Sequence, residues 1–246
     1  MYTELEVNGF KYEAFFSQNE IDNIYIPLLK NITNLRQRKG KRIIVFLAAP
    51  PATGKSTLAL FLEKLSKETV NITPIQSLSL DGFHYHNDYL YSHKIIIDAI
   101  EHSLYEIKGM PETFNLKSFR QSLEKLKIEN IKWPIYDRTI HEPVIDKVEV
   151  NADIILIEGN WLLLDEDEWR DLKSFCDYSI FIECEESLLK NRLIQRKIKG
   201  GLMQGEALEF YERTDKKNVI RVMNNRIPAD LTLKMLESGE KILKYF

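Results

Sequence analysis

The chain has 246 residues, 44% hydrophobic and 29% charged, which is the composition of a globular protein long enough to bury one sizeable core. Its net charge of −3 provides no global basic field, so a nucleic-acid partner is not expected. The start, MYTELEVNGF, lacks a basic stretch followed by an apolar one, and no apolar run is long enough to cross a bilayer. Cys176 and Cys184 form neither a metal spacing nor a disulfide framework. A cytoplasmic protein without a membrane partner is therefore expected.

Residues 1–41 read as an N-terminal extension: an extended pair over Tyr2–Phe16, then a helix over Asn19–Arg38 carrying Ile21, Ile24, Leu28 and Leu35. Pro27 should kink or divide that helix. The run Arg36–Arg42 reads as a solvated helix end with a stop at Gly40.

An apolar strand, Ile43–Leu47, leads into AAPPATGKST (Ala48–Thr57), and a helix follows over Leu58–Lys67. Strand, tight loop and helix form the context of a phosphate-binding P-loop, in which loop and helix N–H groups converge on an anion. Pro51, Ala52, Thr53, Gly54, Lys55, Ser56 and Thr57 are the candidate nucleotide-binding residues. Lys55 would reach the outer phosphates and the Ser56 hydroxyl would ligate Mg²⁺. Ala49 replaces the first glycine of the pattern. If that position needed positive φ, alanine would cost roughly 1–2 kcal/mol; it is expected to sit unstrained at the strand end.

A short strand over Thr73–Leu80 ends at Asp81-Gly82-Phe83-His84. Ligands collect at the carboxyl ends of strands in an open parallel sheet, so Asp81 is a candidate general base for an acceptor hydroxyl, with an Asp-Gly turn as the plain alternative. Residues 83–150 read as a substrate cover with helices over Lys94–Ile107 and Leu116–Leu126. Phe83, His84, Tyr136 and Arg138 are the candidate acceptor contacts. His84, His86, His93 and His141 carry no metal-binding spacing. The strand Ile154–Ile157 closes on Glu158, a candidate metal carboxylate. After a strand at Tyr178–Glu183, the helix Glu185–Lys199 carries Arg192 and Arg196 one turn apart, suited to a phosphate or to a solvated basic face. Gly200-Gly201 then separates it from a second helix over Gln204–Val222, so 185–225 has the build of a lid. Pro228–Leu233 is expected to be a last edge strand.

In this order the motifs resemble the P-loop small-molecule kinases related to uridine kinase, phosphoribulokinase and bacterial pantothenate kinase. The chain is similar in particular to the branch labelled fructose-transport-system or nucleoside/nucleotide kinases, over roughly residues 20–235. The resemblance implies an α/β fold with a mostly parallel sheet flanked by helices, and a single kinase domain over 1–246. It also implies ATP and Mg²⁺ as cofactors, Asp81 as base, Glu158 at the metal, Arg192 and Arg196 on phosphate or nucleotide, and Tyr136 to Arg138 at the acceptor. Asn115 stands where the pantothenate kinase pattern has aspartate, and Leu90–Lys108 is longer than the family connection.

The expected activity is ATP-dependent phosphorylation of a hydroxyl on a small metabolite: a nucleoside, a sugar or a pantothenate-like acceptor. A regulatory ATPase or nucleotide switch without an acceptor is the alternative. The sequence carries no readout of the acceptor or of oligomeric state, a homodimer included.

Overall fold

The computed structural model describes residues 1–7, 10–97 and 99–244. At its start β1 (Tyr2–Val7) and β2 (Phe10–Phe15) pair as an antiparallel ribbon, as expected. Ser17 then opens a helical stretch with a reciprocal cap: its hydroxyl accepts from the Glu20 N–H while the Glu20 carboxylate accepts from the Ser17 N–H. The stretch runs through α1 (Gln18–Glu20), a wider π turn (Ile21–Tyr25) and α2 (Ile26–Lys39). Pro27 stands in the first turn of α2, where a missing N–H matters least, so it divides the helix without breaking it. Gly40, at φ 62°, ends α2.

Residues 37–41 of the basic run are exposed, as its sequence suggests, while its two ends are tied to the rest of the chain. Arg36 pairs with Asp153 at 2.6 Å, and Arg42 donates to the carbonyls of Leu126, Glu129 and Ala152.

The central sheet has six strands in the order β12-β11-β10-β3-β9-β4. Its strands are β3 (Ile43–Ala48), β4 (Ile75–Ser79), β9 (Ile154–Gly159), β10 (Tyr178–Glu183), β11 (Leu231–Met235) and β12 (Lys241–Leu243). All neighbours are parallel except β12 on β11. Along β3, Ile43, Val45 and Leu47 face one core cluster, and Ile44, Phe46 and Ala48 face the other. This alternation buries both faces, which is why the strand reads as a continuous apolar run. One cluster takes in α2 and α3 (Lys55–Glu68); the other holds Trp133, Trp161 and α5 (Leu116–Leu126).

Two readings of the sequence are corrected here. Lys94–Ile107 is not a helix: after α4 (Asn87–Ser92) it forms a hairpin of β5 (Lys94–Ile97) and β6 (Ile100–Ser103). The β-branched Ile95-Ile96-Ile97 favours strand, and Ala99 turns the chain at φ 63°. The second correction concerns β11, which is an inner strand covered by the antiparallel edge strand β12.

Two further strands, β7 (Ile131–Asp137) and β8 (Glu142–Val150), form a separate ribbon whose irregularity falls between Trp133 and Ile135, at Pro134. The helices α6 (Glu186–Lys199), α7 (Gln204–Phe210) and α8 (Lys216–Asn224) follow β10.

Candidate active site

The site grows from strand register. Ala48 pairs with Gly159, and Glu158 lies between Leu47 and Ser79, so the carboxyl ends of β3, β9 and β4 open side by side. From these ends come the P-loop, Glu158 and Asp81.

In the loop, Ala49 is buried and does not take positive φ, so the missing glycine is harmless there. The left-handed positions are Ala52, at φ 66°, and Gly54, at φ 80°, which leads into α3. The Thr53 hydroxyl donates to the Pro50 carbonyl at 3.0 Å and folds the loop on itself. Lys55, Ser56 and Thr57 fill the first turn of α3, whose N–H groups have no partner within the helix.

Glu158 is buried, only 6% exposed. Ser56 donates to its Oε1 at 2.9 Å, Lys55 Nζ lies 3.9 Å from Oε2, and Oε2 makes no hydrogen bond among the described residues. Burial pushes this carboxyl above its ordinary pKa; Lys55 opposes the rise and Asp81 adds to it. A buried carboxylate oxygen without a donor, beside a hydroxyl, is a hard-oxygen set that fits Mg²⁺.

Asp81 lies in the 3-10 turn Leu80–Phe83 directly after β4. Its N–H donates to Ser79 Oγ at 3.2 Å, and its carboxylate sits 3.7 Å from Arg138 Nη2. The turn is braced from behind by β7: Trp133 Nε1 donates to the Ser79 carbonyl at 2.9 Å, and Gly82 lies against Pro134 so closely that a Cβ there would meet its carbonyl oxygen at 2.3 Å. The glycine of Asp81-Gly82 is thus required by close approach.

His84 Nδ1 lies 2.9 Å from the Asp81 carbonyl, an acceptor only, so the ring carries its proton on Nδ1. Burial pushes the His84 pKa down, with Asp81 opposing. The imidazole packs between Phe114, at 3.9 Å, and Tyr136, at 5.3 Å. Burial raises the Tyr136 phenol to about 12. Phe83 differs from its expected role: its ring is 4% exposed and packs on Phe119 and Trp133, so it forms the floor of the site and offers no surface to an acceptor.

Arg192 Nε donates to the Ala52 carbonyl at 2.8 Å, which lays α6 against the P-loop. The charge of Arg196 opposes the rise that burial gives the Asp215 pKa, as does Lys197, which pairs with Asp215 at 3.4 Å.

Two further cations tie the surrounding segments together. Lys108 lies 5.1 Å from the Tyr136 ring centre and donates to Asn87 and His141. Arg221 on α8 clasps Glu112 at 2.7 Å and Glu166 at 2.5 Å, tying the segment after β6 to the helices after β10. These partners lie 109 and 55 positions away, beyond any local pattern. Asn115 caps α5 by accepting from the Ser118 N–H at 3.0 Å, a task aspartate performs equally well.

No protein-family model matches the chain. It is 44% identical over 240 residues to the uncharacterised protein YggC of Escherichia coli (strain K12), covering 97% of this chain and 98% of that one. A provisionally named uridine kinase of Schizosaccharomyces pombe is 28% identical over 89% of this chain and 91% of its own. Among solved structures, a provisionally named fructose transport system kinase from Silicibacter sp. TM1040 superposes with a TM-score of 0.74 at 33% identity, covering 83% of this chain and 97% of that one. No helix among the described residues is long and apolar enough to cross a membrane. With strand order, P-loop and relatives in agreement, the chain belongs to the P-loop kinases, among whose members it is similar to uridine kinase-like proteins and pantothenate kinases.

Proposed function

We propose that the protein transfers the γ-phosphoryl group of ATP to a hydroxyl of a small metabolite, such as a nucleoside, a sugar or a pantothenate-like alcohol. The observation that carries this reading is the convergence of Lys55 and Ser56, Glu158 and Asp81 at three adjacent strand ends.

The loop from Pro51 to Thr57 would wrap the phosphates with backbone N–H groups, and Lys55 would neutralise the outer ones. Ser56 and Glu158 would hold Mg²⁺, which when bound offsets charge on the phosphoryl oxygens. Asp81 accepts the proton of the acceptor hydroxyl as that oxygen bonds to the γ-phosphorus, and the bond to the β–γ bridging oxygen breaks to release ADP. Arg138, 3.7 Å from the Asp81 carboxylate, lines the acceptor side together with His84 and Tyr136. Arg192, already on the loop, would follow the phosphates, while residues 83–150 act as acceptor cover and the helices of 185–225 as lid.

The test is ADP release over a panel of nucleosides, sugars, glycerate and pantothenate. At least one acceptor should stimulate release, and Asp81→Asn should lower its kcat by 10²-fold or more. Steady ATP hydrolysis that no acceptor stimulates would support a regulatory ATPase instead. Unchanged turnover in Asp81→Asn would remove the assigned base.

A further inference from the structure

On the acceptor side of Asp81, two cations lack a hydrogen-bonded carboxylate among the described residues. The Lys108 ammonium is partly withdrawn from water. It donates to Asn87 Oδ1 at 2.6 Å and to His141 O at 2.9 Å, both neutral acceptors that use two of its three protons. Burial lowers its pKa, and the acid that opposes this, Glu142, is turned to the Asn87 N–H and to His86. The Arg138 guanidinium has five donors in a flat fork, and the one carboxylate paired with it among the described residues is Asp81, at 3.7 Å, beyond hydrogen-bond reach. Lys108 Nζ lies 5.1 Å from the Tyr136 ring, which packs 5.3 Å from His84, and Arg138 reaches Asp81, whose carbonyl lies 2.9 Å from His84 Nδ1, so the two cations approach His84 from its two neighbours. His84 itself is held toward its uncharged form by burial, which leaves the positive charge to Lys108 and Arg138.

We propose that Lys108 and Arg138 are specificity-determining residues that bind an anionic group of the acceptor, a phosphate ester or a carboxylate, so that the substrate is an anionic alcohol. A cation partly removed from water without a counter-ion is costly, and an anion would complete its charge-assisted hydrogen bonds. The planar fork of Arg138 suits two oxygens of one anion, and Lys108 supplies a point charge on its other side. Neutral sugars and nucleosides would leave Lys108 without a hydrogen-bonded counter-ion and Arg138 with the distant Asp81 alone, and the site would discriminate against them. This inference rests on the transferase reading for the identity of the bound molecule as substrate.

Matched probes test it: glycerol against glycerol 3-phosphate and glycerate, and fructose against fructose 6-phosphate. The glycerate arm separates carboxylate from phosphate recognition. Binding is read by calorimetry with a non-hydrolysable ATP analogue present, and turnover by ADP release.

An anionic probe should bind at least about tenfold more tightly than its neutral partner, and Lys108→Met and Arg138→Met should each remove that advantage. Lys108→Arg should restore most of it. Asn87→Ala, which removes a neutral partner of Lys108 but keeps its charge, should retain it. If Asn87→Ala matches the loss in Lys108→Met, the lysine is a structural tie and the inference fails. Binding by no anionic probe, or equal binding by neutral and anionic partners, also overturns it. Lys108-dependent binding without ADP release would leave the anion site standing and remove the kinase reading; turnover of neutral probes alone would do the reverse.

Discussion

Gly82→Ala tests the link between packing and chemistry at the site. The new Cβ would meet the Pro134 carbonyl oxygen at 2.3 Å, its carbon at 2.6 Å and Ile135 N at 3.0 Å, all backbone atoms of β7 that cannot rotate away. An ordinary contact needs 3.4 Å or more, so the turn carrying Asp81 must move off β7 by about 1 Å. Overpacking of this kind costs about 1–3 kcal/mol, which a domain of ordinary stability survives. The same displacement moves the proposed base, and a misplacement near 1 Å can cost about 10²-fold in rate. Urea unfolding and ADP release with the best acceptor measure the two effects separately. The expected result is a folded protein with lowered midpoint and a kcat reduced far more than its folded fraction. A variant with wild-type midpoint and wild-type kcat would refute the bracing role of the glycine.

The raised pKa of Glu158 carries a sign. The folded protein keeps that proton where the unfolded chain has lost it, so the contribution of Glu158 to stability is complete at low pH and declines as pH rises from the ordinary carboxylate range through the raised value. Urea midpoints against pH should therefore shift in favour of Glu158→Gln relative to wild type as pH rises, while kinase turnover falls; parallel midpoint curves would contradict the burial argument. Asn115→Ala should cost about 1 kcal/mol through the lost cap of α5 and leave the KM of the acceptor near its wild-type value, whereas Asn115→Asp should be tolerated. A large KM change in Asn115→Ala with unchanged stability would make the residue an acceptor contact. Arg221→Met leaves the partly exposed Glu112 and Glu166 without their guanidinium and should lower stability by about 1–3 kcal/mol in urea unfolding. An unchanged midpoint would mean that water replaces the clasp without loss.

The candidate site was legible where chemistry is local. Glycine at a left-handed position, lysine and serine opening a helix, and apolar strands ending in Asp81 and Glu158 each announce themselves within a few residues, because loop and strand-end geometry is fixed by near neighbours. Ala49 belongs here too: the sequence placed it at the strand end, and its φ agrees. Lys94–Ile107 was illegible because apolar spacing of helical period coexisted with β-branched residues. In the hairpin, Ile95 and Ile97 pack on a small separate cluster of Leu90, Leu104, Ile107 and Met110.

The six-stranded order, the covering of β11 by β12 and the inward turn of Phe83 also lay outside any window of sequence. The sequence by itself determined the P-loop, the strand-end carboxylates and the mostly parallel α/β class. Only the tertiary structure decided that Arg192 rests on the P-loop, that Arg221 joins Glu112 to Glu166, and that Lys108 meets Tyr136. The physical reason is reach: helix, strand and turn preferences act over a few residues, whereas these contacts join segments brought together only when the sheet assembles and its faces are buried.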